Sequence, residues 1–408
     1  MPRRPAPARL DPGIIETVAE RIVAGGDAIA HSPNRTLFVA GAAPGDRLRV
    51  RLTRNRGAVA WAEIVEVVEP GPDRIEPPHP ALARSGAADF AHLRYPAQLA
   101  AKAGIIRECL RRTAGIEPAQ EIEVEPSPRE WGYRARAEWR HDPVTGAVGY
   151  LEAGSQRVVD LENDPLSEPD LGPALAEFRE RALAGRLPED ATELRAATAG
   201  GAISLDPERG GAEPREIFAS VAGERLGHDA RCFFQANHHL LDGLVAEALR
   251  WADAPGTGES LAIDLYCGAG LFTLPLARRF RRVIGVEADA RAAGWAQRNA
   301  AEAGLAGARI SPQPVEHWLR EAYRSYGRPP FLLADPPRAG LSRATLSGIL
   351  RLRPGRIALV SCDLATLARD LKEFAGAGYE VGAIRGFDLF PQTHHVEVVA
   401  HLQRTDPA

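Results

Sequence analysis

Two side chains near the C-terminal end of the chain are suited to covalent chemistry. Cys362 ends the apolar run of residues 356–362 and precedes a helical pattern, which predicts a strand end and a helix N-terminus. Helix N-terminal amides favour the thiolate, the reactive form of cysteine. Glu397, 35 residues later, begins the last apolar run, and a carboxylate beside a thiolate can accept a proton. Taken singly, a free cysteine is more often structural and such a glutamate more often polar surface.

A glycine-containing loop is the second candidate site. Gly268 and Gly270 follow an apolar run and let the backbone approach a ligand. The next apolar run ends in Glu287, whose carboxylate can accept both hydroxyl groups of a ribose. Thr273 replaces the third glycine of the dinucleotide pattern GxGxxG, so the loop favours S-adenosylmethionine, which lacks a phosphate, over NAD. The alternative is a tight turn followed by a surface glutamate.

A third candidate lies where another apolar run meets two prolines. Asp335 precedes Pro336 and Pro337, and because a residue before proline is held extended, its carboxylate is expected to point into the same cleft. Alone, this pattern is more typical of a strand that proline stops. Asp363, directly after Cys362, has a structural interpretation as the N-cap of the next helix.

The elements that position these residues alternate from about residue 230 onward. Short apolar runs alternate with helical patterns, which predicts a doubly wound α/β sheet. The predicted strands are residues 261–267, 281–287, 308–312, 331–335, 356–362, 380–384 and 396–402.

The part of the chain before residue 230 does not show this regular alternation of strands and helices. A helix is predicted at residues 96–114, and residues 120–225 form an irregular mixture of strands and breaks. We expect three domains, at residues 1–72, 73–228 and 229–408, with this helix packed on the third.

A small β-barrel is predicted for residues 14–70. In the run Arg47–Leu52, apolar and basic residues alternate, so Arg47, Arg49 and Arg51 are expected on the outer face of a strand. Such a face suits a nucleic-acid backbone. A solvated strand face explains the same alternation.

Composition excludes several classes of protein. The 408 residues are 45% hydrophobic and 25% charged, which rules out wholesale disorder. No apolar run approaches the roughly 18 residues of a membrane span, and a signal peptide is not expected. The four cysteines lack the spacing of a zinc site or a disulfide framework, which favours the cytoplasm.

Together, these motifs resemble the (uracil-5-)-methyltransferase family that acts on 23S ribosomal RNA and transfer RNA. Residues 14–70 resemble its N-terminal TRAM domain, a small barrel. The family's sequence blocks occur in order at residues 95–102 (YPAQLAAK), 132–134 (GYR), 233–235 (FFQ), 335–338 (DPPR), 361–371 (SCDLATLARDL) and 390–397 (FPQTHHVE).

The resemblance implies a mechanism and a site. Cys362 would attack carbon 6 of uracil, carbon 5 would take the methyl group of S-adenosylmethionine, and Glu397 would remove the proton from carbon 5. An unpaired uridine in RNA is the implied substrate, because its base must leave the stack. The implied cofactor-binding residues are Gln235, Tyr266, Gly268, Gly270, Leu271, Glu287 and Asp335, and Asp335 would also hold the uracil edge.

The chain departs from the family pattern at identifiable positions. The family often carries an iron–sulfur cluster on four cysteines, but the stretch Pro77–Phe90 and the region of Asp164 contain none, so no metal site is expected. Leu271 replaces a usual asparagine and Asp363 begins a replacement of the usual Asn-Pro. An acid beside Cys362 raises the pKa of the thiol, and the helix end opposes this effect.

Alternatives to the leading hypothesis remain at this stage. Ribosomal RNA is favoured over transfer RNA as the substrate, and a monomer without membrane attachment is expected. Leu271, Asp363 and the missing cysteines favour a catalytically impaired RNA-binding relative, although Cys362, Glu397, Asp335 and Glu287 are all present. A methyltransferase for small molecules would leave the barrel unexplained.

Overall fold

The N-terminal part of the chain is a closed five-stranded barrel. The computed structural model describes residues 13–118, 120–187, 192–208, 211–252 and 260–405. Leu48, Val50 and Leu52 are buried inside the barrel, as their alternation predicts. The strands are β1 (Ile14–Ile22), β2 (Ala28–Ser32), β3 (Arg35–Val39), β4 (Arg47–Arg56) and β5 (Val59–Glu69).

The three arginines predicted to form a basic face are neutralised by glutamates. Strand β4 lies between β1 and β5, whose outward positions carry acidic residues. Arg49 and Glu66 are 2.7 Å apart, and Arg51 and Glu63 are 3.1 Å apart. Arg47 likewise contacts carboxylates on both neighbouring strands. These ion pairs favour the solvated strand face, and the interpretation of the three arginines as a nucleic-acid face stays a prediction.

The central region combines a five-stranded sheet with a two-stranded hairpin. Strands β7–β11 form the sheet in the order β11-β10-β7-β8-β9, and β12 pairs with β13. The elements are α1 (Pro80–Arg84), α2 (Tyr95–Cys109), β6 (Val124–Glu125), β7 (Arg136–His141), β8 (Val148–Leu151), β9 (Val158–Asp160), α3 (Gly172–Leu183), β10 (Glu193–Ala199), β11 (Ala202–Asp206), β12 (Ile217–Val221) and β13 (Glu224–His228).

The C-terminal part is the predicted doubly wound sheet. Its eight strands have the order β16-β15-β14-β17-β18-β20-β19-β6, and those from β16 to β18 are parallel. The elements are α4 (Leu241–Ala248), β14 (Leu261–Leu265), α5 (Thr273–Ala277), β15 (Arg282–Glu287), α6 (Ala290–Glu302), β16 (Ala308–Pro312), α7 (Val315–Tyr326), β17 (Phe331–Ala334), α8 (Arg343–Leu352), β18 (Arg356–Ser361), α9 (Leu364–Gly376), β19 (Tyr379–Phe387) and β20 (Glu397–Arg404).

Helix α2 joins the barrel to this sheet. Ile105 packs into the barrel core, whereas Ile106 and Leu110 pack into a core of the C-terminal sheet. The predicted helix at residues 96–114 is thus an α-helix to Cys109 followed by a π-helical turn, Leu110–Ala114. The division into domains at residues 72 and 228 stays a prediction. Within the described ranges, no helix has both the length and the apolar character needed to cross a membrane.

Candidate active site

The ends of neighbouring strands bring the predicted site residues to one edge of the sheet. The parallel strands β14, β15, β17 and β18 all have their carboxyl ends there. Strand β20 runs antiparallel to β18 and begins at this edge, with Ser361 opposite Val398. Continuing that register by one residue places Cys362 beside Glu397. The structure therefore brings together two residues that lie far apart in the chain.

Burial and charge make the thiol of Cys362 a weak acid. Burial raises its pKa to about 11, the carboxyl groups of Glu397 and Asp335 add to the effect, and Arg338 opposes it. A backbone hydrogen bond at Cys362 does lower the pKa of the thiol, as a helix N-terminus is expected to, but burial and the neighbouring acids outweigh it in the free protein. Cys362, Glu397, Asp335 and Arg338 therefore lie close enough together to form one electrostatic group.

The two acids of this group are also shifted. Burial raises the pKa of Glu397 well above its usual range, with a further contribution from Asp335 and opposition from Arg338. Burial raises the pKa of Asp335 to about 7. A carboxylate held in such a place is a stronger base than an exposed one, because protonation removes its desolvation penalty.

Asp363 has the capping role that its position suggests. Its carboxylate accepts the backbone N–H of Thr366 at 2.8 Å and begins α9. This bond directs the Asp363 side chain to the first turn of the helix. The N-cap interpretation is confirmed.

The glycine loop after β14 is shaped to admit a ligand. Gly268 and Gly270 have positive φ values of 53° and 97°, and Tyr266 has the left-handed value of 63°. A Cβ atom at Gly268 would meet nothing within 4 Å, so the backbone is accessible there. Glu287 accepts the N–H of Gly268 at 3.0 Å and that of Asp289 at 2.7 Å, which fixes its half-exposed carboxylate at the rim.

The surroundings of the other predicted cofactor residues differ from one residue to the next. Phe234, next to the buried Gln235, packs in one core with Ala269 and Leu271 of the glycine loop. The charge of Glu287 acts on the nearby thiol of Cys232. The Tyr266 hydroxyl lies 3.3 Å from the side-chain oxygen of Thr345. Leu271 belongs to the glycine loop itself, and the place of Gln235 in the cofactor pocket stays a prediction.

Asp264 is a buried acid next to the candidate site that sequence reasoning missed. It is fully buried in β14, and burial raises the pKa of its carboxyl group to about 8, with further contributions from Asp335 and Glu287. Its Oδ2 accepts the hydroxyl of Thr273, whereas Oδ1 has no partner in the described part of the chain. A buried acceptor without a partner is a group that a ligand can satisfy. The available signal was one acid inside the apolar run of residues 261–265.

Helix α2 holds the loop of residues 388–396 that leads to Glu397. Lys102 and Asp388 are both 0% exposed and form an ion pair of 2.5 Å. Gln98 exchanges two hydrogen bonds of 2.9 Å with Gln392, one to its side chain and one from its backbone. Removal of one partner from such a buried pair costs about 3–5 kcal/mol. These contacts explain why the sequence block of residues 95–102 places glutamine and lysine on one helix face.

A second contact connects this loop to the barrel. His394 Nδ1 lies 2.6 Å from Asp89 Oδ2, and Asp89 also accepts the backbone N–H of His394. Gly26, at the corner between β1 and β2, touches both residues, because an added Cβ would lie 2.7 Å from that carboxylate oxygen. The barrel is therefore docked directly on the loop that carries Glu397.

The region expected to lack a metal cluster has no ligand set for one. The stretch from Pro77 to Phe90 contains no cysteine, and an apolar cluster that includes Leu82, Tyr133 and Leu166 packs there. Asp164, near the other cysteine position of the family, accepts hydrogen bonds from Trp139 and Tyr150 at 3.1 and 2.6 Å. These residues do not fit an iron–sulfur cluster, and its absence from the purified protein stays a prediction.

The alkylation rate of Cys362 is expected to rise about tenfold per pH unit between pH 7 and 10, because iodoacetamide attacks the thiolate and the thiol pKa is about 11. The variant Arg338→Met is expected to react more slowly at each pH, since Arg338 lowers that pKa. Mass spectrometry of the Cys362 peptide measures both rates. The exposed Arg343, replaced by Met, serves as control, and a rate independent of pH over this range would contradict the assignment.

Comparison with known proteins identifies related sequences. A family model described as tRNA (Uracil-5-)-methyltransferase matches residues 222–405. The chain is 32% identical to an uncharacterized RNA methyltransferase of Gloeobacter violaceus, covering 94% of this chain and 95% of that one. It is also 32% identical to a 23S rRNA (uracil(1939)-C(5))-methyltransferase of Alkalilimnicola ehrlichii, covering 93% and 94% of the two chains.

A solved structure shares the whole architecture. It is the tRNA (uracil-54, C5)-methyltransferase of Pyrococcus abyssi in complex with S-adenosyl-L-homocysteine, with a TM-score of 0.73 and 23% identity. The match covers 95% of this chain and 100% of that chain. At this identity the comparison shows the fold, from the barrel to the doubly wound sheet.

Proposed function

Because the chain belongs to the RNA (uracil-5-)-methyltransferase family, we propose that it methylates carbon 5 of a uridine in ribosomal RNA through a covalent bond between Cys362 and the uracil. The methyl donor is S-adenosylmethionine. The observation that carries the proposal is the pairing of β18 with β20, which sets Cys362 beside Glu397 at the edge where Asp335 also lies.

The chain offers groups that fit the cofactor. Glu287 presents acceptors for the ribose hydroxyls, the open face of Gly268 admits the ligand close to the backbone, and Asp264 has an unsatisfied oxygen. Gln235, Tyr266, Gly270 and Leu271 complete the proposed pocket. When bound, the sulfonium supplies an electrophilic methyl group.

Cys362 starts the reaction as a nucleophile. Its thiol loses a proton to solvent, and the thiolate sulfur forms a bond to carbon 6 of uracil while the electrons of the C5–C6 double bond move toward oxygen 4. Carbon 5 then carries the electron pair that takes the methyl group. Arg338 stabilises the anionic forms, since it lowers the pKa of both Cys362 and Glu397.

Glu397 and Asp335 have different proposed roles. Glu397 removes the proton from carbon 5, the electrons restore the C5–C6 double bond, and the sulfur of Cys362 leaves as thiolate. The raised pKa of Glu397 favours this proton transfer. Asp335, on the neighbouring strand end, holds the polar edge of the uracil.

The target base must leave its stack to reach this group. Beside Gln235, the ring of Phe233 is 69% exposed, unusual for a large apolar side chain. An exposed ring at the edge of a site can stack on a base and support an unpaired strand. The substrate is thus proposed to be an unpaired uridine rather than one in a duplex.

Methyl transfer to 23S ribosomal RNA transcribed in vitro is expected to exceed transfer to bulk transfer RNA, each measured with tritiated S-adenosylmethionine. Mapping of 5-methyluridine in both RNAs from a strain that lacks the gene identifies the position. Transfer to transfer RNA alone would contradict the proposed substrate. Transfer to neither RNA would favour the impaired relative that Leu271 and Asp363 suggest.

A further inference from the structure

The outer surface of the barrel carries a row of side chains that the proposed reaction does not use. Ile29, Phe38, Trp61 and Arg54 occupy paired positions of β2, β3, β5 and β4, so they share one face. The rings of Phe38 and Trp61 stack with centroids 5.6 Å apart. The guanidinium carbon of Arg54 lies 3.5 Å from the centre of the Trp61 ring. Arg54 is exposed and both rings are half-buried, so this part of the row is open to solvent, whereas Ile29 is buried.

The arginines in and beside this row differ from the other arginines of β4 in that no glutamate within the described ranges is paired with them. Arg54, Arg56 and Arg35 make no ion pair with any residue that the structure describes, whereas Arg49 is paired with glutamate. Arg56 pairs with Val59 in the barrel register, as does Thr36, the neighbour of Arg35. The row therefore combines stacked rings with arginines that make no direct ion pair in the described part of the chain, which fits a single-stranded nucleic acid with its anionic backbone and planar bases.

One end of the row lies near the contact between the barrel and the loop of residues 388–396. Asp27 lies at the corner between β1 and β2, and its carboxyl group senses the charges of Asp89, His394 and Arg54. Gly26, in the same corner, packs on Asp89 and His394. Because His394 belongs to the loop that leads to Glu397, this part of the barrel lies within reach of an RNA strand bound at the proposed active site.

We propose that an unpaired base of the RNA, outside the target uridine, stacks on the guanidinium plane of Arg54, with Trp61 and Phe38 as the support beneath it. Bases stack on arginine planes and on aromatic rings, and an arginine over a ring does both. The site rests on the proposed RNA substrate, but its chemistry requires only a single strand. The ion-paired face of Arg47, Arg49 and Arg51 lacks these properties.

Binding of fluorescein-labelled oligouridylate to the full-length protein tests the site. Trp61→Ala is expected to weaken binding about tenfold. Arg54→Lys keeps the positive charge but removes the planar guanidinium group, and it is expected to weaken binding about fivefold. Arg49→Lys makes the same change on the same strand outside the row and should leave binding unchanged. Equal affinities for Arg54→Lys and Arg49→Lys, or no binding by the wild type, would overturn the proposal.

Tryptophan fluorescence provides a readout that does not depend on affinity. A base stacked on Arg54, with Trp61 beneath it, is expected to change the emission of Trp61, and Trp61→Phe should retain most of the binding but lose that change. An identical change of emission in wild type and Trp61→Phe would overturn the stacking geometry. In methylation assays, Trp61→Ala should raise KM for RNA and leave kcat unchanged. If no RNA is methylated but Trp61-dependent binding persists, the proposed function fails and the base-stacking site stands.

Discussion

The variant Cys362→Ala is expected to lose methyl transfer by a factor on the order of 10⁴ or more while it still folds and binds S-adenosylmethionine. Without the sulfur, carbon 5 of uracil stays a poor nucleophile, and nothing else in the group of Glu397, Asp335 and Arg338 can form the bond to carbon 6. Single-turnover transfer of a tritiated methyl group measures the loss. Calorimetric titration with S-adenosylmethionine shows whether the cofactor pocket persists.

Cys109 provides the matched control for this variant. It is also a free, partly exposed cysteine on α2, and although its thiol senses the charge of the capping residue Asp363, it does not belong to the group of Cys362, Glu397, Asp335 and Arg338. Cys109→Ala should transfer methyl groups at nearly the wild-type rate. Unchanged turnover in Cys362→Ala would refute the nucleophile.

The variant Glu397→Gln is expected to methylate the RNA once and then retain it. Glutamine has nearly the shape of glutamate and suits a buried position, but it cannot accept the proton from carbon 5. The covalent adduct therefore accumulates as a slower band on a denaturing gel, and steady-state turnover falls by roughly 10²–10⁴.

The double variant Cys362→Ala with Glu397→Gln separates this adduct from tight non-covalent binding. It should show no slower band, because the sulfur is absent. If Glu397→Gln releases methylated RNA at the wild-type rate without an adduct, another group removes the proton. Glu397 then has only a structural role at the start of β20.

The sequence predicted the elements of the doubly wound sheet because each strand and helix has a local periodicity. It also predicted that Cys362 and Asp335 end strands, since apolar runs stop at them. Contacts that depend on register could not be predicted in this way. The glutamates of β1 and β5 face Arg47, Arg49 and Arg51 only because the barrel closes with that pairing.

The buried ion pairs and the shifted pKa values of the site could not be predicted from the sequence either, because they depend on the folded chain. Lys102 forms an ion pair with Asp388, which lies 286 residues later in the chain, and no local sequence pattern predicts that pair. The pKa of Cys362 depends on how deeply the thiol is buried and on the charges of Glu397 and Arg338, which come from other strands and loops. The helix N-terminus after Cys362 was visible in the sequence, but the larger opposing effects were not.

Mass spectrometry of the wild-type enzyme mixed with S-adenosylmethionine and RNA that contains 5-fluorouridine tests the central claim most directly. A base cannot abstract fluorine from carbon 5 in the way that it abstracts a proton, so the elimination that releases the sulfur is blocked. The bond between sulfur and carbon 6 is therefore expected to persist through nuclease and protease digestion. The account predicts a methylated fluorouridine attached to the peptide that contains Cys362. A modified peptide elsewhere, or rapid reaction with no covalent product, would contradict it.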